Sequence, residues 1–118
     1  MGDPVLDEIE RLADLPAGWD SYGAPAITRE ARERAKWCLA MLRGQLGPAF
    51  RDPTVGPDVG GGVELIWEPA RGTYEIHALV GATERFKVLV LNREELLINA
   101  QAKSIEDLAG LLTKYLLP

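Results

Sequence analysis

The side chain best suited to acid–base or nucleophilic chemistry is His77, the only histidine in the chain. A small hydrolase centred on it would need a partner group, and the carboxylates that could serve are Glu64, Glu75 and Asp20. No spacing in the sequence selects one of them. A histidine on the solvated face of a predicted strand explains His77 without any chemistry.

The other reactive or ligand-binding side chains follow no catalytic or metal-binding pattern. Cys38, the only cysteine, lies on the apolar stripe of a predicted helix, as a core residue does. The glycines at 60–62 lead into a strand, whereas a phosphate loop leads into a helix. Scattered carboxylates give neither zinc nor calcium spacing. We therefore predict no catalytic residue, no metal and no cofactor.

Charge is separated along the first part of the chain. Residues 1–20 hold six acidic side chains and one basic one, whereas residues 28–45 hold five basic and two acidic ones. On a helical wheel, four cations share the face away from the apolar stripe: Arg29, Arg32, Lys36 and Arg43. These are either solvated faces or an electrostatic contact with a partner protein or a second copy. The net charge of -5 and the lack of interleaved aromatic residues argue against a nucleic-acid partner.

The segment LPAGWDSYGAPAIT, residues 15–28, joins two predicted helices. Its prolines and glycines suit tight turns, and its aromatic side chains can anchor it to a core. Connectors of this length are often functional. The segment is therefore either a rigid connector pinned by its aromatic residues or a binding surface formed by Trp19, Asp20 and Tyr22.

The predicted elements position these residues within one α+β domain. The first helix starts at the N-cap Asp3 and the second at the N-cap Thr28, and glycine 44 ends the second. A crossing rich in proline and glycine at 45–62 holds one short strand around 54–56.

Period-two alternation predicts four further strands, at 63–68, 73–80, 86–91 and 96–99. The links PARG, GATE and NRE suit tight turns, which indicates an antiparallel meander. Ser104 caps a C-terminal helix at 104–117. The predicted order is ααββββα: a helical hairpin with a long connector at 1–44, the crossing, an antiparallel β-meander of about four strands at 63–99 and the last helix, with the helices packed on the sheet.

Apolar side chains point to both faces of this sheet. Trp67 and Ile66, for example, are neighbours in one strand and must face opposite ways. Trp37 and Met41 lie one turn apart at the edge of the second helix's apolar stripe. The second face of the sheet is covered either by helices divided between both faces or by another chain.

Composition predicts an ordinary soluble globular protein. The chain has 118 residues, of which 47% are hydrophobic and 26% charged, within the range of a single domain. Its start shows no secretory signal pattern, and no apolar stretch approaches the length of about 20 residues that a membrane span needs. The single cysteine favours the cytoplasm.

Two segments, GWDSYGAP and GGVELIWE, are the most distinctive in the chain. They resemble a group of short bacterial proteins that share a Gly-Trp-Asp-x-x-Gly-Ala-Pro segment and a Gly-Gly-Val-x-Leu-x-Trp-Glu strand. The matching positions are Gly18, Trp19, Asp20, Gly23, Ala24, Pro25, Gly61, Gly62, Val63, Leu65, Trp67 and Glu68. The resemblance spans residues 6–80 and implies a bacterial, cytoplasmic protein. The group has no assigned activity, so no catalytic residue is carried over.

Together these features predict a non-enzymatic protein-binding or accessory module, of which antitoxin-like proteins are one class. The alternatives are a small hydrolase centred on His77 and a homo-oligomeric scaffold such as a homodimer. The predicted partner is a protein or a second copy, with neither nucleic acid nor membrane. The candidate binding residues are Trp19, Asp20, Tyr22, Arg29, Arg32, Lys36, Trp37, Met41 and Arg43.

Overall fold

The computed structural model describes residues 3–68, 74–81, 86–93, 95–102 and 104–115. In chain order its elements are α1 (Pro4–Arg11) with a 3₁₀ turn (Leu12–Asp14), α2 (Arg29–Leu46) with a 3₁₀ turn (Gly47–Ala49), β1 (Thr54–Pro57), β2 (Val63–Trp67), β3 (Tyr74–Val80), β4 (Phe86–Asn92), β5 (Glu95–Ala102) and α3 (Ile105–Tyr115). The predicted α+β class is confirmed, but the sheet has five strands and not four.

Both predicted N-caps are present. The Asp3 carboxylate accepts hydrogen bonds from two backbone N–H groups at the start of α1, and the Thr28 hydroxyl accepts one from the N–H of Ala31 at 3.1 Å. The predicted end of α2 at Gly44 was wrong. Helix α2 continues to Leu46, because the residue that leaves the helical conformation is Gly47, with φ +56°.

The strands form one antiparallel sheet in the order β1-β2-β3-β4-β5, so the predicted meander is confirmed. The fifth strand arises because β1, in the proline- and glycine-rich crossing, pairs with β2. Strand β5 is also longer than the predicted 96–99. The PARG link, residues 82–84 of the GATE link, residue 94 of the NRE link and residues 116–117 of the last helix lie outside the described residues.

One apolar core lies between the helices and one face of the sheet. It joins buried residues of α1, α2 and α3 to the inward-facing residues of the strands. The inward-facing strand residues are Val63, Leu65, Trp67, Ile76, Ala78, Val80, Phe86, Val88, Val90 and Ala102. A helix arrangement divided between both faces is therefore wrong for the described helices. None of these helices combines the length and apolar character needed to cross a membrane.

The opposite face of the sheet, called the open face here, carries none of the described helices. Ile66, His77 and Leu89 form a cross-strand row on it, and Leu79 and Leu91 lie beside that row. All five side chains are half-buried rather than buried. The outward face of an antiparallel sheet is ordinarily polar, so this one is unusually apolar.

Candidate functional site

A cleft of about 380 Å³ opens between α2 and the start of α3. Its volume lies within the range of about 300–1,000 Å³ that is usual for ligand pockets. Helix α2 supplies three lining residues at helical spacing, β4 supplies the floor and the first turn of α3 closes the far side. The lining residues are Arg34, Trp37, Met41, Phe86, Ser104, Ile105 and Glu106.

The walls of the cleft are held by the core beneath it. Phe86, the first residue of β4, is 1% exposed and forms a fixed apolar floor. Ile105 is buried at the start of α3, and the Ser104 hydroxyl caps that helix by accepting a hydrogen bond from the N–H of Asp107 at 3.2 Å. The cleft therefore has a rigid base.

Arg34 is the unusual residue of the cleft. Its guanidinium carbon lies 5.6 Å from the ring centroid of Trp37 and 5.7 Å from that of Phe86, within the range of a cation–π contact. Its Nε, like that of Arg32, is buried and has no hydrogen-bond partner among the described residues, and such an unpaired donor costs free energy. A carboxylate in the cleft would instead accept hydrogen bonds from the terminal N–H groups of the guanidinium.

Two large apolar side chains form the exposed rim. Trp37 is 47% and Met41 45% exposed. Each of these side chains could therefore bury apolar surface against a partner. Both were predicted binding residues, and the structure brings them together on one cleft. Arg34 was missed, although it lies three residues before Trp37 and therefore on the same side of α2. Phe86 and Ile105 were missed because only the tertiary fold brings them to α2.

Three of the four predicted basic binding residues contact α1 or the crossing within the chain. Lys36 forms an ion pair with Glu10, and Arg32 approaches the same carboxylate at 3.7 Å. The hydrogen bond from Lys36 lowers the pKa of Glu10. These contacts hold α1 against α2 within one chain.

Arg43 makes the second link between α1 and the rest of the fold. It pairs with Asp3 and, at 3.1 Å, with Asp52, and its hydrogen bond to Asp3 lowers the pKa of that carboxyl group. Arg29, the fourth predicted cation, is exposed and lines a shallow depression with Glu33 and Arg34. The acidic and basic segments of the sequence thus complement each other internally.

The 15–28 connector is a rigid turn, not an open loop. The Asp20 carboxylate accepts hydrogen bonds from the N–H groups of Tyr22 and Ala24, both at 2.9 Å, and these bonds lower its pKa. The Trp19 indole donates to the Pro25 carbonyl at 2.9 Å. Trp19 and Asp20 are therefore occupied within the turn, whereas the Tyr22 side chain is 93% exposed at its tip.

The two distinctive sequence segments lie against each other. The N–H of Thr28, at the end of the connector, donates to the Gly61 carbonyl at 3.0 Å. A Cβ on Gly61 would lie 3.3 Å from Pro25 Cγ, and Gly61 has φ +90°. The Trp67 indole, further along the second segment, donates to the Arg51 carbonyl at 2.8 Å. These residues of the two segments therefore have structural roles in the fold.

His77 lies on the open face between two of its three proposed carboxylate partners. Its Nδ1 is 2.6 Å from Glu64 Oε1 and its Nε2 is 3.2 Å from Glu75 Oε2. A ring nitrogen binds a carboxylate only as a donor, so the ring carries both protons in this arrangement. No nitrogen then remains to act as a base, and Asp20 is engaged elsewhere. The geometry does not favour a hydrolase centred on His77.

His77 is expected to make stability fall as pH rises above about 6.5. Burial lowers the pKa of His77, but the hydrogen bonds and charges of Glu64 and Glu75 outweigh it and raise that pKa in the folded chain. A raised folded pKa gives stability that is complete below the unfolded value and is lost as pH passes the folded value. Urea unfolding between pH 6 and about 8 measures this slope.

The matched control is His77→Gln, which should flatten the slope over the same range. The range stops below about pH 8.5, where Cys38 titrates in the unfolded chain. Burial raises the pKa of Cys38 to about 12 in the folded chain, so this thiol affects stability only above that range. An equally steep slope in His77→Gln would contradict the charged histidine.

The described residues hold no group of three or more His, Cys, Asp or Glu side chains arranged as a metal site. Cys38 is buried and unpaired, which makes its thiol a packing group rather than a nucleophile. Comparison with known proteins found no matching family model, no matching curated protein and no matching solved structure.

Proposed function

We propose that this chain is a non-enzymatic protein-binding module and that the α2–α3 cleft is its docking site. The cleft takes an apolar side chain of a partner protein together with a nearby carboxylate of the same partner. The observation that carries the proposal is Arg34, a cation placed over two aromatic rings in the cleft that forms no ion pair with any described residue.

The rim and floor of the cleft favour an apolar side chain from the partner. Trp37 and Met41 are exposed, and the Phe86 ring lies below them. Tryptophan, methionine and arginine are the residue types enriched at protein interfaces relative to the rest of a surface. An inserted aliphatic or aromatic side chain would remove the rim from water.

The charge of Arg34 favours a carboxylate on the partner. Arg34 forms no ion pair with any described residue, in contrast to Arg32, which approaches Glu10. A carboxylate from the partner would receive charge-assisted hydrogen bonds from the guanidinium. Glu106 lies on the α3 side of the cleft and would repel an acidic group placed next to it. The partner's carboxylate must therefore lie on the Arg34 side of the cleft.

We further propose that this is a bacterial cytoplasmic protein with an accessory role. The single cysteine and the resemblance of the two sequence segments support a bacterial cytoplasmic protein. An accessory role, of the kind that antitoxin-like proteins have, is consistent with docking through one small cleft. Tyr22 and Arg29 remain candidate contacts only if the partner extends beyond the cleft, since neither lines it.

The experiment is selection of a displayed random-peptide library on the full chain. The library is first depleted on Met41→Glu, a variant of another cleft residue, so that only cleft-dependent peptides are retained. We expect the enriched peptides to share an acidic residue within a few positions of a large apolar one. Enrichment of peptides without acidic residues, or of none after depletion, would contradict the proposal.

A further inference from the structure

The two edges of the sheet differ in how well they are protected from pairing. Strand β1 is four residues long and contains Gly56 and Pro57, and short edge strands with proline are a common protection. Strand β5 has eight residues, seven of which are not buried. It contains no proline, lysine or arginine, and no other described strand pairs with its outer edge.

The beginning of β5 also exposes apolar side chains. Leu96 and Leu97 are both exposed, and Leu96 lies opposite Leu91 of the open face, next to a register shift. This irregularity affects only the start of the strand. Residues from Ile98 to Ala102 pair regularly with β4 and present a straight outer edge.

We infer that β5 pairs antiparallel with β5 of a second copy about a two-fold axis, giving one continuous ten-strand sheet. Main-chain hydrogen bonds between two edge strands supply the affinity in this mode of association. A two-fold axis perpendicular to the sheet keeps both open faces on the same side. The half-buried aliphatic residues of both copies then form one larger surface.

Charge favours a second copy of this strand as the occupant. Glu95 is the only charged residue in β5, and antiparallel pairing places the two copies of it at opposite ends of the junction. With the axis at Ala100, the centre of the regularly paired stretch, the two carboxylates are about 34 Å apart at about 3.4 Å per residue. That distance exceeds the Debye length of about 8 Å at physiological salt. The neutral residues between them meet no like charge.

The side chains around the axis also suit self-pairing. Asn99 lies opposite Leu89 and Gln101 opposite Lys87, so both amides are on the open face. Both are exposed. With the axis at Ala100, Asn99 of each copy lies opposite Gln101 of the other, and each amide can both donate and accept. A foreign strand would need amides at the same two positions to make this match.

The test is sedimentation equilibrium of the full chain, with the double variant N99K/Q101K and the control T54K. The wild type should be a dimer, and its dissociation constant should change little with salt because main-chain hydrogen bonds form the junction. N99K/Q101K should weaken the dimer at least about tenfold by placing lysines across the junction. T54K adds a lysine to the opposite edge strand and should leave the dimer intact.

A wild type that stays monomeric at all concentrations would overturn the inference, as would a dimer that N99K/Q101K leaves unchanged or that T54K disrupts. Amide hydrogen exchange keeps the test decisive if the double variant fails to fold. Wild-type exchange at 98–102 should slow as protein concentration rises, and exchange independent of concentration would count against the junction. Peptide binding at the α2–α3 cleft should be the same for N99K/Q101K, so the docking proposal stands or fails separately.

Discussion

Gly62→Ala is expected to destabilise the fold by about 3 kcal/mol, at the upper end of the range for overpacking. A Cβ at this position would lie 2.5 Å from the Val80 carbonyl oxygen. That oxygen belongs to the backbone of β3, which pairs with strands on both sides, so it cannot move away without breaking the sheet. Equilibrium urea unfolding measures the change in the free energy of unfolding.

The control is Gly56→Ala in the adjacent strand β1. A Cβ there has nothing within 4 Å, and alanine restricts the unfolded chain. Its stability should be unchanged or slightly higher. Equal losses in both variants would mean that the cost comes from alanine in the sheet in general, and not from contact with Val80.

Trp37→Ala is expected to weaken the binding of a cleft-selected peptide about 30-fold. Truncating an interface hot spot costs about 2 kcal/mol or more, and each 1.4 kcal/mol is about tenfold in affinity. Trp37 combines an exposed rim position with the cation–π contact to Arg34. Isothermal titration of one synthetic peptide against the variants measures the loss.

Three further variants separate the charge from the apolar contact. Arg34→Met keeps a linear apolar stem and removes the guanidinium, so affinity should fall at least about tenfold for a peptide with a carboxylate. The same peptide with amides in place of its carboxylates should bind the wild type and Arg34→Met with the same affinity.

Glu106→Gln should strengthen binding of the carboxylate peptide, because it removes a negative charge near the peptide's own carboxylate. Tyr22→Ala removes an aromatic side chain that lies outside the cleft and is more exposed than Trp37, and it should have no effect. A loss of affinity in this variant would contradict the assignment.

The sequence was most informative where structure depends on local periodicity. Strand β2 ends at Trp67, one residue short of its predicted limit, and β3, described from Tyr74 to Val80, lies within its predicted segment. The agreement is close because alternation fixes which residues face the core. The N-caps Asp3 and Thr28 were predictable because a capping side chain acts within three residues. The end of α2 was not, since either Gly44 or Gly47 could have taken the left-handed conformation.

Edge strands were the least predictable part of the fold. Strand β1 contains Gly56 and Pro57, and most of β5 faces solvent. Neither shows the apolar alternation that burial on one face imposes. Their pairing is decided by neighbouring strands far along the chain.

The candidate site could be predicted only in part, because a helical wheel does not show which elements pack against each face of a helix. A helical wheel correctly placed Arg32, Lys36 and Arg43 on one side of α2, but it could not show that α1 covers that side. The same wheel placed Trp37 and Met41 at the edge of the apolar stripe. Helix α3 and β4 complete the cleft there, so Arg34 became part of a site through contacts distant in sequence.

The measurement that tests the docking site most directly is photocrosslinking in the cells that make the protein. A photoreactive amino acid replaces Met41 in the cleft or, as the control, Tyr22 on the connector. We expect one discrete protein adduct from position 41, its loss when Arg34→Met is added, and no such adduct from position 22. An adduct that forms equally from both positions, or that survives Arg34→Met, would contradict docking at the cleft.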